Sequence, residues 1–281
     1  MPRFPLRATF GTFFAVRGTH LAAMVAYFAL ASLVPLVFLA LAFLGLFGRV
    51  DESSSLVTYL SDLLPSRSLT EIVNAVRAVQ DNARTLGILG AVFLGWSSLS
   101  LFSALESAFN IVYGRPNRPF LRGKALALGY MGASLVVLFA GLVVGTFGSD
   151  VMGRYAPDAI GNRLGVAATI VVSALALFGF LVSAYFRLTN ARVTRREVLP
   201  GAIVGAVALE LALQGLPLFV RVSSDILALR ALGATFLLLI WLYVLANVIV
   251  FGAALNWQLA YGRTGREVES KRPEGQEPAS A

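Results

Sequence analysis

The chain is predicted to be an all-α polytopic membrane bundle, with six transmembrane helices plus amphipathic helices in the first outer loop. Three observations predict it. Five stretches of at least 21 residues carry no charged side chain: Leu21–Gly48, Thr85–Leu105, Ala125–Ser149, Leu164–Phe186 and Ala231–Gly262. A sixth, Val198–Val220, is broken only by Glu210. An α-helix rises about 1.5 Å per residue, so roughly 20 apolar residues cross a hydrocarbon core of about 30 Å. Hydrophobic residues make up 57% of the 281 positions and charged residues only 14%, where a soluble domain is about a quarter charged. Basic residues are also unevenly distributed. With six crossings and a cytoplasmic start, fifteen fall on the inner side, among them Arg3, Arg115, Arg187 and Arg263, against eight on the other. That is the positive-inside bias, with both termini cytoplasmic. The net charge of +8 is therefore read as a topology signal with anionic lipid as its natural partner, not nucleic acid.

Residues 1–20 form a basic segment in which Arg3, Arg7 and Arg17 alternate with Phe4, Leu6, Phe10, Phe13 and Phe14, which suits a helix lying at the inner interface. Residues 21–261 form the membrane domain, with spans at about 21–48, 85–112, 125–148, 164–186, 199–220 and 233–260. Pro35 lies mid-span in the first, where proline removes a backbone hydrogen bond and kinks a helix. The first outer loop, Arg49–Arg84, carries Ser68 and Glu71 at capping-box spacing, followed by Leu69, Ile72, Val73, Val76 and Val79 at helical period. Leu56, Leu60, Leu63 and Leu64 precede Pro65 as a shorter amphipathic helix. Pro200 is placed in the first turn of the fifth span, a favourable position for proline. Residues 262–281 are polar and charged and are expected to be a disordered cytoplasmic tail.

Leu86-Gly87, Trp96, Asn110 and Tyr113-Gly114 are echoed by Leu232-Gly233, Trp241, Asn256 and Tyr261-Gly262 at spacings that agree to within one or two residues. Either an internal repeat, as transporters often contain, or coincidence between two membrane helices accounts for this.

Glu210 is the most unusual residue, because an ionisable group in mid-span costs about 2.5–3.5 kcal/mol on insertion scales. It must face the bundle interior or water, and Gln214 lies one turn on along the same face. Ser97, Ser100, Ser103, Ser107 and Asn110 form a second polar stripe in the second span, with Glu106 adjoining near its inner end and within reach of interfacial water. Such stripes either pack helices closely or line a cavity. The candidate cavity or ligand-binding residues are Glu210, Gln214, Glu106, Ser100, Ser103, Asn110 and Asn247. Arg115, Arg118 and Arg122 are candidate headgroup contacts, since guanidinium groups match phosphate geometry. Gly141–Gly145 and Gly201–Gly205 have the GxxxG spacing of close helix packing.

Catalysis has little to work with. There is no cysteine, and His20 is the only histidine. The chain contains no H-E-x-x-H, P-loop or G-x-S-x-G motif. No cofactor, metal site or catalytic residue is expected, and the chain is not read as an enzyme.

The first span, Ala26-Tyr27 through Leu30, Ser32 and Pro35-Leu36, resembles the A-Y-x-x-L-x-S-x-x-P-L opening of the YihY/BrkB membrane proteins. Trp96-Ser97 to Tyr113 with Arg118-Pro119-Phe120 is similar to that family's second span and loop. Pro200-Gly201-Ala202, Glu210, Leu232-Gly233-Ala234 and Trp241-Leu242-Tyr243 are similar to its last two spans. Two positions depart from the pattern. Ala254 stands where the family usually has Glu in G-A-E-L-N, and Leu209 where it usually has Trp. The resemblance implies a six-span bacterial inner-membrane protein. The family long carried a ribonuclease name, which the residues here do not support, and it has been linked to serum survival and to envelope or lipid-export phenotypes. The leading expectation is a transporter or lipid- or solute-translocating protein without its own ATPase, acting on a lipid, ion or small molecule. The alternative is a non-transporting scaffold for envelope assembly.

Overall fold

A computed structural model describes residues 6–46, 83–136, 158–225 and 233–262. Their regular structure is α-helical throughout: α1 (Leu6–Ala15), α2 (Gly18–Leu46), α3 (Ala83–Val112), α4 (120–136), α5 (Asp158–Arg187), α6 (Arg195–Asp225) and α7 (Ala234–Tyr261). Helix α7 is the hub, packing on α6, α2, α1 and α3, while α2 lies along α3 and α5 along α6. The expected loop helices, the Gly141–Gly145 pair and the tail from residue 263 lie outside the described residues.

Ile170–Arg187, Arg195–Val222 and Thr235–Tyr261 are long and apolar enough to cross a membrane. Arg7–Ala15 and Gly18–Leu33 qualify as a pair bent by 67°. The described residues therefore bear out three spans, or four if the bent pair is one, and an all-α membrane bundle.

Large apolar residues fill the core, among them Phe109, Leu181, Tyr185 and Leu188, and small residues mark where helices approach closest. On α6, Gly201, Ala202, Gly205 and Ala206 are buried, whereas Ile203, Val207, Leu211 and Leu218 are exposed. Ala246, Ala253 and Ala254 are buried on α7, and Val171, Val172 and Leu175 are exposed on α5. Lipid chains are as apolar as leucine, so burying large side chains is not what drives these helices together; close approach and interhelical hydrogen bonds do that. The closest crossing shows it. A Cβ on Gly201 would land on the carbonyl oxygen of Gly252 and on the Asn256 amide. The Tyr185 hydroxyl fills the same corner and donates to Ile249 O at 2.8 Å.

Three boundaries differ from expectation. The basic N-terminal segment holds one helix and the start of a second. It breaks at Val16-Arg17, where Arg17 takes φ 56°, and α2 begins at Gly18, whose Cβ would strike the Phe13 ring. Helix α1 docks on α7 through Thr12 Oγ1 to Gln258 Oε1 at 2.9 Å and through Phe10 and Phe13 against Phe251. Only part of its surface, including Phe10 and Phe14, is exposed.

The fifth span also starts earlier than Pro200. Thr194 N–H donates to Glu197 Oε2 at 2.7 Å, the return half of a capping box written T-R-R-E, so the helix begins at Arg195 and Pro200 lies in its second turn. At the other end of the polar stripe, α3 closes on a Schellman motif. Gly114 at φ 61° donates to Ile111 O, and Arg115 N–H donates to Asn110 O at 2.7 Å. Helix α4 then starts at residue 120, five residues before the expected third span.

Candidate functional site

Glu210 lies in the middle of α6 with only 7% of its surface exposed. Each carboxylate oxygen accepts one hydrogen bond: Oε2 from Ser173 Oγ of α5 at 2.7 Å, and Oε1 from Gln214 Nε2 at 3.0 Å. Gln214 is exposed, between the exposed apolar residues Leu211 and Leu218 on the same helix. The cluster thus runs from a buried carboxylate to a polar rim on an otherwise apolar face. Ser173 was not singled out from sequence, because a lone serine in an apolar stretch carries no signal until a neighbouring helix presents an acceptor.

Glu106 is elsewhere. It is buried and not open to interfacial water as expected, because the loop after α3 folds back over it. Arg118 Nη1 reaches Glu106 Oε1 at 3.0 Å and Leu188 O at 2.6 Å, while Nη2 reaches Arg187 O at 2.9 Å and Thr189 O at 3.0 Å. One guanidinium therefore neutralises a buried carboxylate and caps the carbonyls that end α5, which is also where the helix dipole favours a cation. Arg118 faces inward. Arg122 is exposed on α4, and Arg115 holds its Nε buried without a partner among the described residues.

Asn110 continues this polar lock. Its Oδ1 accepts Asn190 N–H at 2.6 Å and its Nδ2 donates to Asn117 Oδ1 at 3.0 Å, with Asn117 Nδ2 passing on to Ser107 Oγ at 3.2 Å. Ser100 and Ser103 bond back to their own helix, at Trp96 O and Leu99 O, and Asn247 does the same at Tyr243 O. Ser103 Oγ also accepts Lys124 Nζ at 3.1 Å. The sequence-predicted site residues therefore fall into two groups, Glu210 with Gln214 and Glu106 with Asn110, with Ser100, Ser103 and Asn247 bonded locally.

The ends of α3, α5 and α7 and the starts of α2 and α6 meet on one side. Tyr113 and Tyr261 stack edge-on at 6.2 Å there, and Phe109 meets Tyr185 at 5.1 Å. Burial pushes the Tyr113 hydroxyl well above its ordinary value of 10.0, and the neighbouring Tyr261 and Glu197 push it further. Among the described residues no group of three His, Asp or Glu side chains could hold a metal ion.

The family model described as Virulence factor BrkB matches residues 9–277. A UPF0761 membrane protein of Chromobacterium violaceum is 29% identical over 88% of this chain and 59% of its own length. Those of Aromatoleum aromaticum and Rhodospirillum rubrum are each 29% identical, over 89% and 90% of this chain and 62% and 60% of their own. The chain thus spans about 60% of the length of these curated relatives. No solved structure matches it. Long apolar helices and a family model that covers nearly every residue lead to one conclusion: the chain belongs to the Virulence factor BrkB family and is a polytopic inner-membrane protein.

Proposed function

We propose that residues 21–261 form the membrane domain of a protein that translocates a lipid or solute without an ATPase of its own. The observation that carries this is the Ser173–Glu210–Gln214 cluster, a buried mid-span carboxylate linked to an exposed polar rim. Intramembrane carboxylates are costly and are retained where charge or protons are handled. Thr12 of α1 bonds Gln258 of α7, which supports both ends of the domain lying on one side. Arg115, Arg118, Arg122, Arg187, Arg192, Arg195 and Arg196 gather near the helix ends on that side, which supports its being cytoplasmic.

The test is Glu210→Gln in the full chain reconstituted into vesicles, read as movement of fluorescent lipid analogues and of ions across the bilayer. Loss of movement in a variant that folds like the parent supports translocation. Equal movement in both removes Glu210 from any charge-based step.

One observation favours a scaffold instead: both Glu210 oxygens already have protein donors, which is enough to fasten α5 to α6. A scaffold predicts no movement by the parent protein and a loss of thermal stability in Ser173→Ala.

A further inference from the structure

Between α3 and α4 runs a groove of about 460 Å³, lined by Trp96, Leu99 and Ser100 on one side and by Phe120, Lys124, Ala125 and Leu128 on the other. Its size is that of a small-molecule site. Its walls are apolar apart from Ser100 and Lys124. Trp96 and Phe120 stand at its rim, 78% and 74% exposed.

Lys124 is the anomaly. It sits one turn into α4, half-buried, and donates to Ser103 Oγ at 3.1 Å with its Nζ 5.8 Å from the Phe120 ring centre. Among the described residues no carboxylate pairs with it. The nearest candidate along α3, Glu106, gives its Oε1 to Arg118. An ammonium with three donors and one protein acceptor, set in an apolar wall, calls for an anion. The other cations of the loop offer no substitute inside the groove, because Arg118 is turned inward onto α5.

We infer that this groove binds one anionic phospholipid, with an acyl chain along Trp96, Leu99 and Leu128 and the headgroup phosphate on Lys124. The charge of the groove is purely positive, its walls match hydrocarbon, and its cationic end lies toward the inner ends of the helices, where headgroups of that leaflet lie. The amphipathic lysine stem suits this placement, with its methylenes along the apolar wall and its amine at the phosphate. The lipid occupies this groove whether or not the protein translocates anything, because none of the lining residues belongs to the Glu210 cluster.

The test uses the full chain with Trp241→Phe and Trp257→Phe, which leaves Trp96 as the only tryptophan of three. It is reconstituted in vesicles in which either phosphatidylglycerol or phosphatidylcholine carries bromine on its acyl chains, at equal mole fraction. Quenching of Trp96 is expected to report about fivefold tighter association with the brominated anionic lipid, the factor that one basic residue at an acidic surface supplies. Lys124→Gln is expected to abolish the preference, while Lys124→Arg and Arg122→Gln keep it. Equal quenching by the two lipids, or a preference that survives Lys124→Gln, overturns the inference. Native mass spectrometry of the chain with all three tryptophans, with and without Lys124→Gln, reads the same preference should the tryptophan replacements unfold the protein. Retention of both lipids alike there counts against it equally.

Discussion

Asn110 and Asn256 are both fully buried, and each accepts one backbone N–H at 2.6 Å, the first from Asn190 and the second from Gly201. They occupy corresponding places in α3 and α7, the two helices that share the Leu-Gly, Trp, Asn, Tyr-Gly spacing. At the C-terminal ends of the two helices the likeness is structural as well, since Tyr113 and Tyr261 meet ring to ring. It stops at the tryptophans: Trp96 is exposed and Trp241 is buried against Phe219. In a medium without water, a side-chain amide is one of few groups able to satisfy a backbone N–H from another helix.

Asn110→Ala leaves the Asn190 amide without that acceptor, and Asn256→Ala removes the acceptor that α7 gives Gly201 of α6. Each substitution is expected to lower stability by about 1–3 kcal/mol, the cost of a buried unsatisfied polar group. Thermal unfolding in detergent, followed by retention on a sizing column, measures it. Asn256→Ala is expected to loosen the α6–α7 crossing in particular, because Gly201 is held there.

Glycine positions separate by what a methyl group would meet. Gly201→Ala collides with backbone on α7 and is expected to cost about 1–3 kcal/mol. Gly205→Ala meets the end of the Leu181 side chain at 2.8 Å, which can rotate away, so it should cost less. Gly179→Ala meets nothing within 4 Å and should be neutral or stabilising by up to about 1 kcal/mol through helix propensity. The same unfolding measurement ranks all three, and a Gly201→Ala variant as stable as Gly179→Ala would contradict the crossing.

Arg118→Ala strands a buried carboxylate and uncaps α5. A loss of about 3–5 kcal/mol is expected, as for other buried pairs stripped of one partner. Arg118→Lys should recover only part of it, since an ammonium cannot span Glu106 and three carbonyls as a planar fork does. A double-mutant cycle with Glu106→Gln should show strong coupling, whereas additive effects would place the energy in the carbonyl contacts alone.

Tyr113 has a buried hydroxyl without a partner among the described residues. Its folded-state value is raised, so the neutral form is favoured in the fold. The resulting stability is complete below the ordinary tyrosine value of about 10 and is lost as the pH climbs above it, because the unfolded chain ionises first. Tyr113→Phe should therefore unfold less steeply above about pH 10 than the parent. At neutral pH the variant should be as stable as the parent or slightly more so, since no hydrogen bond is lost. Melting curves across that pH range decide it.

Much of the fold was legible in the chain itself. Charge-free length marks where helices can cross, and Ile170–Arg187, Arg195–Val222 and Thr235–Tyr261 are long and apolar enough to do so. The glycine pair Gly201–Gly205 marks a close crossing, because small residues at that spacing leave room for a neighbouring helix. Helix starts were less legible. The T-R-R-E box begins α6 at Arg195, and Pro200, which is equally tolerated near a helix start, falls in its second turn.

What only the tertiary structure decided is which polar groups meet. Glu106 and Arg118 are twelve residues apart, and Arg118 and Leu188 seventy, and no periodicity predicts that one guanidinium joins them. Glu210 and Ser100 both lie on polar stripes, yet one bonds across to α5 and the other back to its own helix. The physical reason is that hydropathy acts on each helix separately and sets where it lies in the bilayer. Hydrogen bonds between helices depend on rotation and depth relative to a neighbour, which no single stretch of sequence contains.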